Sequence, residues 1–280
     1  VEPTRSDALR LASGLILLSL LPKALGAKTT WRLFGSWAIL LQSRGLTRLP
    51  ADTDIEVFDS RGAGSKIQET WAVSNDTFGL QADEAHRLNF SDPALSPTAH
   101  WQNVEVLHRA RVISRETVNW VHRAPPANGT DRVPAGEDVE ISLSESDVFA
   151  LALREFPTLS HLPRAHVRIA SREECVAQKW TRISKVRTSG RRHTRWQDLA
   201  DVYDVVLGSR QSVQQPLLVA WIKQLANERG LGWPCLILPP PAEWLDSWDS
   251  YNYRSGTWRP SPEKCARELN AYLRDAVEPR

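Results

Sequence analysis

A strand that passes into a helix through only two small residues constrains this chain more than any other feature. Thr29-Thr30-Trp31-Arg32-Leu33-Phe34 has the character of a half-buried strand, Gly35-Ser36 make the turn, and Trp37-Ala38-Ile39-Leu40-Leu41 form an apolar helical segment. The next alternating segment, Thr53-Asp54-Ile55-Glu56-Val57-Phe58, predicts a second strand with Asp54 and Glu56 on the same face. The first half of the chain therefore reads as mixed α/β.

Ahead of this unit, Leu11 to Leu21 form an apolar run behind Arg5 and Arg10. The run is too short to span a bilayer and a strand follows it closely, so it is read as a buried first helix from Asp7 to Leu21 rather than a signal peptide. Further strands are predicted at Val104–Leu107 with Ala110–Ile113, at Val118–Val121 and at Asp138–Leu143. From Ser144 the period changes to that of helices, over Ser146–Phe156, Glu173–Ile183, Trp196–Leu207 and Ser212–Arg229, interrupted by a strand at His166–Ile169. A Pro-rich stretch, Leu238 to Pro241, precedes the Trp-rich segment Trp244–Trp258 and a last helix, Pro262–Val277, with Ser261 as its N-cap. The expected architecture is α/β (α+β), a mixed sheet with flanking helices over residues 1–143 and a mainly helical domain over 144–280.

Composition excludes several function classes. With 41% hydrophobic and 24% charged residues in 280, the chain can bury a core, and neither disorder nor collagen-like repetition fits. A formal charge of +2 provides no global field toward DNA or an anionic membrane, so any polyanion site must be local. Cys175, Cys235 and Cys265 are odd in number and far apart, which predicts neither a disulfide framework nor a structural zinc, and suits a reducing, cytoplasmic setting without membrane attachment.

Two constellations carry chemistry. In the first, a Gly35-Ser36 turn opening a helix offers backbone N–H groups and a hydroxyl to phosphate oxygens, and Asp54 with Glu56 offers hard oxygen ligands for Mg²⁺ or Mn²⁺ beside a nucleoside triphosphate. Metal ions so held stabilise both oxygens of an in-line displacement. A third acid on a neighbouring strand would complete the metal site, with Glu140 the candidate and Asp138 its alternate. In the second, Glu174-Cys175-Val176-Ala177-Gln178-Lys179 precedes a basic run containing Arg182, Lys185, Arg187, Arg191, Arg192, His193 and Arg195. No acid interrupts that run before Asp198, and Trp180 and Trp196 flank it, a pattern suited to a nucleic-acid backbone or equally to a solvated loop. Asp198 and Asp201 fall on one helix face, where they can orient Lys179 or an arginine.

The order of these segments, Gly35-Ser36, Asp54-Ile55-Glu56, Glu174 to Lys179, then Arg195-Trp196-Gln197-Asp198-Leu199-Ala200-Asp201, resembles the four motifs of the AbiEii/AbiGii-type nucleotidyltransferases, toxins of bacterial toxin–antitoxin pairs. The resemblance spans roughly Trp31 to Trp258, with Glu56 in place of that family's second aspartate and Gln197 in place of a lysine. It implies a nucleotidyltransferase-type sheet and a helical domain with the active cleft between them. Residue by residue it implies Ser36 as a phosphate contact, Asp54 and Glu56 as metal ligands, Lys179 as a triphosphate contact, and Asp198 or Asp201 as a supporting acid. The implied activity is Mg²⁺-dependent transfer of a nucleotide from a nucleoside triphosphate to the 3′ end of tRNA, with an antitoxin as partner. Arg182, Lys185, Arg187, Arg191 and Arg192 would then hold the RNA. Two alternatives stand beside it: the same chemistry on a small hydroxylated acceptor, for which the twelve tryptophans provide apolar surface, or a non-catalytic nucleotide- or partner-binding protein.

Overall fold

The computed structural model describes residues 5–26, 31–42, 50, 52–58, 101–107, 115–121, 139–185, 195–208, 213–255 and 258–277. Among them the chain divides into two compact units, one reaching Ala170 and the other starting at Ser171. The first unit runs past Leu143 because the segment that follows supplies a strand to its sheet and a helix packed on its first helix.

The first unit comprises α1 (Arg5–Leu25), β1 (Trp31–Phe34), α2 (Gly35–Gln42), β2 (Asp52–Phe58), β3 (Trp101–Leu107), β4 (Arg115–Val121), β5 (Val139–Ser142), α3 (Asp147–Glu155) and β6 (His166–Ile169). Its six strands lie in the order β4-β3-β2-β1-β6-β5. β1 pairs antiparallel with β2 and parallel with β6, so it occupies the interior of the sheet. Leu33 is in register with Ile55 on one side and Ile169 on the other, and all three are fully buried. Burial of one such side chain contributes about 1.5–3 kcal/mol.

The apolar run of the first helix is buried as expected: Leu11, Leu15, Leu18 and Leu21 of α1 are all in the core, and α1 packs against α3. Gly14 sets the close approach of α1 to α2, because a Cβ there would collide with the fully buried Trp37 ring. The side chain of Ser146 caps α3 by accepting the Phe149 N–H at 3.2 Å. No helix among the described residues is long and apolar enough to cross a membrane. The strand expected at Ala110–Ile113 lies outside the described residues.

The second unit comprises α4 (Arg172–Ile183), α5 (Trp196–Val206), α6 (Gln215–Glu228), α7 (Trp244–Ser255) and α8 (Pro262–Val277). α4 is its central helix, packed against both α5 and α6 and buried from Glu173 through Thr181. Ser171 starts it, accepting the Glu174 N–H at 3.2 Å, and Ser261 starts α8 in the same way, accepting the Lys264 N–H at 3.3 Å. Between α6 and α7 the chain is extended and held by side chains: Trp180 Nε1 donates to the Cys235 carbonyl at 2.8 Å. Asn270 then clasps Ile237, its Oδ1 accepting the Ile237 N–H at 2.7 Å and its Nδ2 donating to the Ile237 carbonyl at 2.9 Å.

Candidate active site

In the sheet unit the site begins with backbone register. Phe34 lies opposite Asp54, so the chain leaving β1 for α2 turns beside the Asp54 carboxylate. Gly35 makes that turn at φ +70°, a left-handed conformation that other residues adopt only with strain, and a Cβ there would run into Asp54 Oδ2. Both conditions select glycine. Ser36 follows in the first turn of α2, partly exposed, and Asp54 is likewise partly exposed. Glu56 is opposite Arg32, two residues along from Asp54, as the alternation predicts.

The third acid expected at Glu140 stands apart from Asp54 in the sheet. Glu140 lies on β5, with β6 and β1 between it and β2, and its register partner is Arg168. Three inter-strand spacings put Glu140 about 14 Å from the Asp54 strand, too far to share an ion with it. Asp138 lies outside the described residues. The strand beside β2 is β3, and the β3 residue opposite Asp54 is Glu105. Residues opposite one another in an antiparallel pair share a face, so Asp54, Glu56 and Glu105 are register positions on one side of the sheet. The sequence carried a hint of this in Val104-Glu105-Val106, an acid between two β-branched residues, but the register of β3 on β2 could not be read across the long intervening segment.

Three carboxylates brought together from such register positions would be a donor set suited to a hard divalent cation. Among the described side chains no three His, Cys, Asp or Glu groups gather as metal ligands. The set at Asp54 includes Glu56 and Glu105, which are placed by strand register alone.

In the helical unit, side chains from α4 and α5 meet. Lys179 Nζ lies 2.9 Å from Asp198 Oδ1 and 3.0 Å from Asp201 Oδ2, and Arg195 Nη1 lies 3.2 Å from Asp198 Oδ2. Lys179 is only 4% exposed, with both aspartates buried beside it. Burial by itself would raise the Asp198 pKa, but Lys179, Arg182 and Arg195 outweigh it and hold this carboxyl well below the usual carboxylate range. An ammonium so enclosed is held between the two aspartates. Arg195, whose side chain is 29% exposed, is the cation of this cluster open to solvent. Of the other predicted nucleic-acid contacts, Arg182 is partly exposed and Lys185 exposed, while Arg187, Arg191 and Arg192, with His193, lie outside the described residues. Gln197 is exposed and Glu174 is buried, accepting from Gln178 Nε2 at 3.4 Å.

One member of this stripe escaped sequence reasoning. Asp204 continues the spacing of Asp198 and Asp201 along α5 and takes a buried Arg259 in a two-point pair, Nε to Oδ1 at 2.7 Å and Nη2 to Oδ2 at 2.5 Å. The repeat of aspartates three apart was visible, but the arginine that answers the third stands 55 residues away in sequence. Neither a scan of protein-family models nor a search of curated proteins finds a match to this chain.

Proposed function

We propose that the protein is a Mg²⁺-dependent nucleotidyltransferase that moves a nucleoside monophosphate from a nucleoside triphosphate to an acceptor hydroxyl, with the 3′ end of tRNA as the acceptor. The observation that carries this reading is the juxtaposition in the sheet unit: Gly35, with no room for a Cβ, turns the chain against Asp54, and Glu105 stands opposite Asp54 on the next strand. Asp54, Glu56 and Glu105 would hold the divalent ion, which when bound supplies charge stabilisation to the phosphoryl oxygens.

The residues of the chain do the rest. Backbone N–H groups at the start of α2 and the Ser36 hydroxyl receive phosphate oxygens, as helix N-termini do generally. The acceptor hydroxyl attacks the α-phosphorus, the bond to the bridging oxygen breaks, and pyrophosphate leaves. In the helical unit Arg195 is assigned to phosphate contact, with Asp198 fixing its guanidinium and Lys179 fixing Asp198. Lys179 is thus a positioning residue.

The test is incubation with Mg²⁺, total tRNA and each of the four α-labelled nucleoside triphosphates in turn. Label should pass to tRNA from one donor and be lost with Asp54→Ala. Glu105→Gln should lower the rate at least about a hundredfold and Glu140→Gln should leave it near wild type, as expected for loss of a charge-stabilising group against loss of a distant one. Absence of label on RNA with every donor would refute the tRNA reading, and pyrophosphate release on small hydroxylated acceptors would then identify the alternative. An Asp54→Ala variant with full activity would refute the carboxylate site.

A further inference from the structure

Trp258 is 83% exposed, whereas the next most exposed large apolar side chain, Val139, is 42% exposed. An indole presented so fully to water forgoes the burial that normally fixes this residue type. Its immediate neighbours along the chain, Ser255, Gly256, Thr257 and Arg259, are small or polar, although it closes a segment rich in aromatic residues that begins at Trp244.

The backbone that follows it is held firmly. Arg259 is 2% exposed and bound at two points by Asp204. The Arg259 carbonyl accepts from Asn252 Nδ2 at 3.1 Å, and the Pro260 carbonyl accepts from Trp248 Nε1 at 2.8 Å. The anchored backbone fixes where the Trp258 side chain leaves the chain, so the ordering cost when something stacks on it is confined to that side chain's own rotations.

The anchor also connects Trp258 to the cationic cluster. The Arg259 guanidinium sits 4.7 Å from the centre of the Tyr251 ring, and Tyr251 meets Trp196 edge to face at 5.1 Å. Trp196 adjoins Arg195. A row of planar groups, Trp196, Tyr251 and Arg259, thus runs from the partly exposed Arg195 to the residue beside Trp258. Cationic side chains for phosphates joined to an outward ring for bases is the combination by which proteins hold unpaired nucleic acid strands.

We infer that Trp258 is a stacking platform for an unpaired base of a single-stranded RNA segment whose phosphates are held by Arg195, Arg182 and Lys185. The inference deepens the proposed transfer to RNA and rests on that reading for the identity of the strand.

The experiment is fluorescence anisotropy of the full chain with a fluorescein-labelled 12-nucleotide single-stranded RNA, with EDTA and without nucleotide, so that binding is measured apart from any transfer. Trp258→Ala should weaken binding by roughly tenfold or more and Trp258→Phe should restore most of it, since stacking needs an aromatic face and not the indole N–H. Far-UV circular dichroism and thermal midpoint should stay at wild-type values in both variants, because the ring is outside the core. Equal binding by wild type and Trp258→Ala, or no binding by wild type at low salt, would overturn the inference. Binding that depends on Trp258, with no label passing to tRNA from any donor in the transfer assay, would uphold the platform and refute transfer to RNA. Transfer to RNA by Trp258→Ala with an unchanged KM for RNA would refute the platform and leave the transferase standing.

Discussion

Lys179 shows how strongly one residue can determine its surroundings. It stands between two buried carboxylates, so Lys179→Met leaves Asp198 and Asp201 without the cation that both contact. Breaking a buried pair by removing one partner costs about 3–5 kcal/mol. The pH dependence follows from the direction of the Asp198 shift. Because the folded-state value is depressed, the carboxylate contributes stability that is complete above the unfolded value, about 3.9, and is lost as pH falls through the lower folded value. Urea midpoints measured from neutral pH downward should therefore fall steeply below about pH 4 in the wild type. Asp198→Asn should be less stable at neutral pH and show a flatter acid limb. Parallel acid limbs in the two proteins would contradict this account.

Elements are joined here by single polar side chains as well as by apolar faces, and the segment between α6 and α7 is the clearest case of the former. Asn270 supplies Ile237 with both an acceptor and a donor, the pairing a neighbouring strand would give. Asn270→Ala strands two backbone groups and should cost about 1–3 kcal/mol. Amide exchange at Ile237 should accelerate in that variant, while exchange in α4 keeps its wild-type rate apart from the global loss of stability. The same scale shows what the sequence made legible. Elements with a local signal were readable: α3, α4 and α8 each follow a serine cap, and Gly35-Ser36 marked the entry to α2. Helix α7 was not, because Trp244 to Ser255 is rich in aromatic, serine and aspartate residues and lacks a clean apolar stripe. The parallel pairing of β6 beside β1 was also illegible, since four residues, His166 to Ile169, say nothing about which strand they will join. That insertion sets β5 and Glu140 one strand further from Asp54, while the separate pairing of β3 with the other edge of β2 is what puts Glu105 opposite Asp54.

At the scale of the whole molecule, a formal charge of +2 means that affinity for RNA must come from a local set of cations. If Arg182, Lys185 and Arg195 each contact one phosphate, the logarithm of the RNA binding constant should fall against the logarithm of salt concentration with a slope of about −2. A flat dependence would favour a neutral small acceptor. The two units also differ in the origin of their candidate groups: the sheet unit places acids by strand register, and the helical unit places them by ion pairing along α5. Enclosure of Lys179 makes its amine a chemical reporter of the folded state. Reductive methylation and acylation need an unprotonated nitrogen that a reagent can approach, and this one is salt-bridged at 4% exposure. Peptide mapping after formaldehyde and borohydride treatment should find exposed Lys185 and Lys264 dimethylated and Lys179 untouched until denaturant opens the helical unit, so that one lysine would record in a mass spectrum how often that unit unfolds.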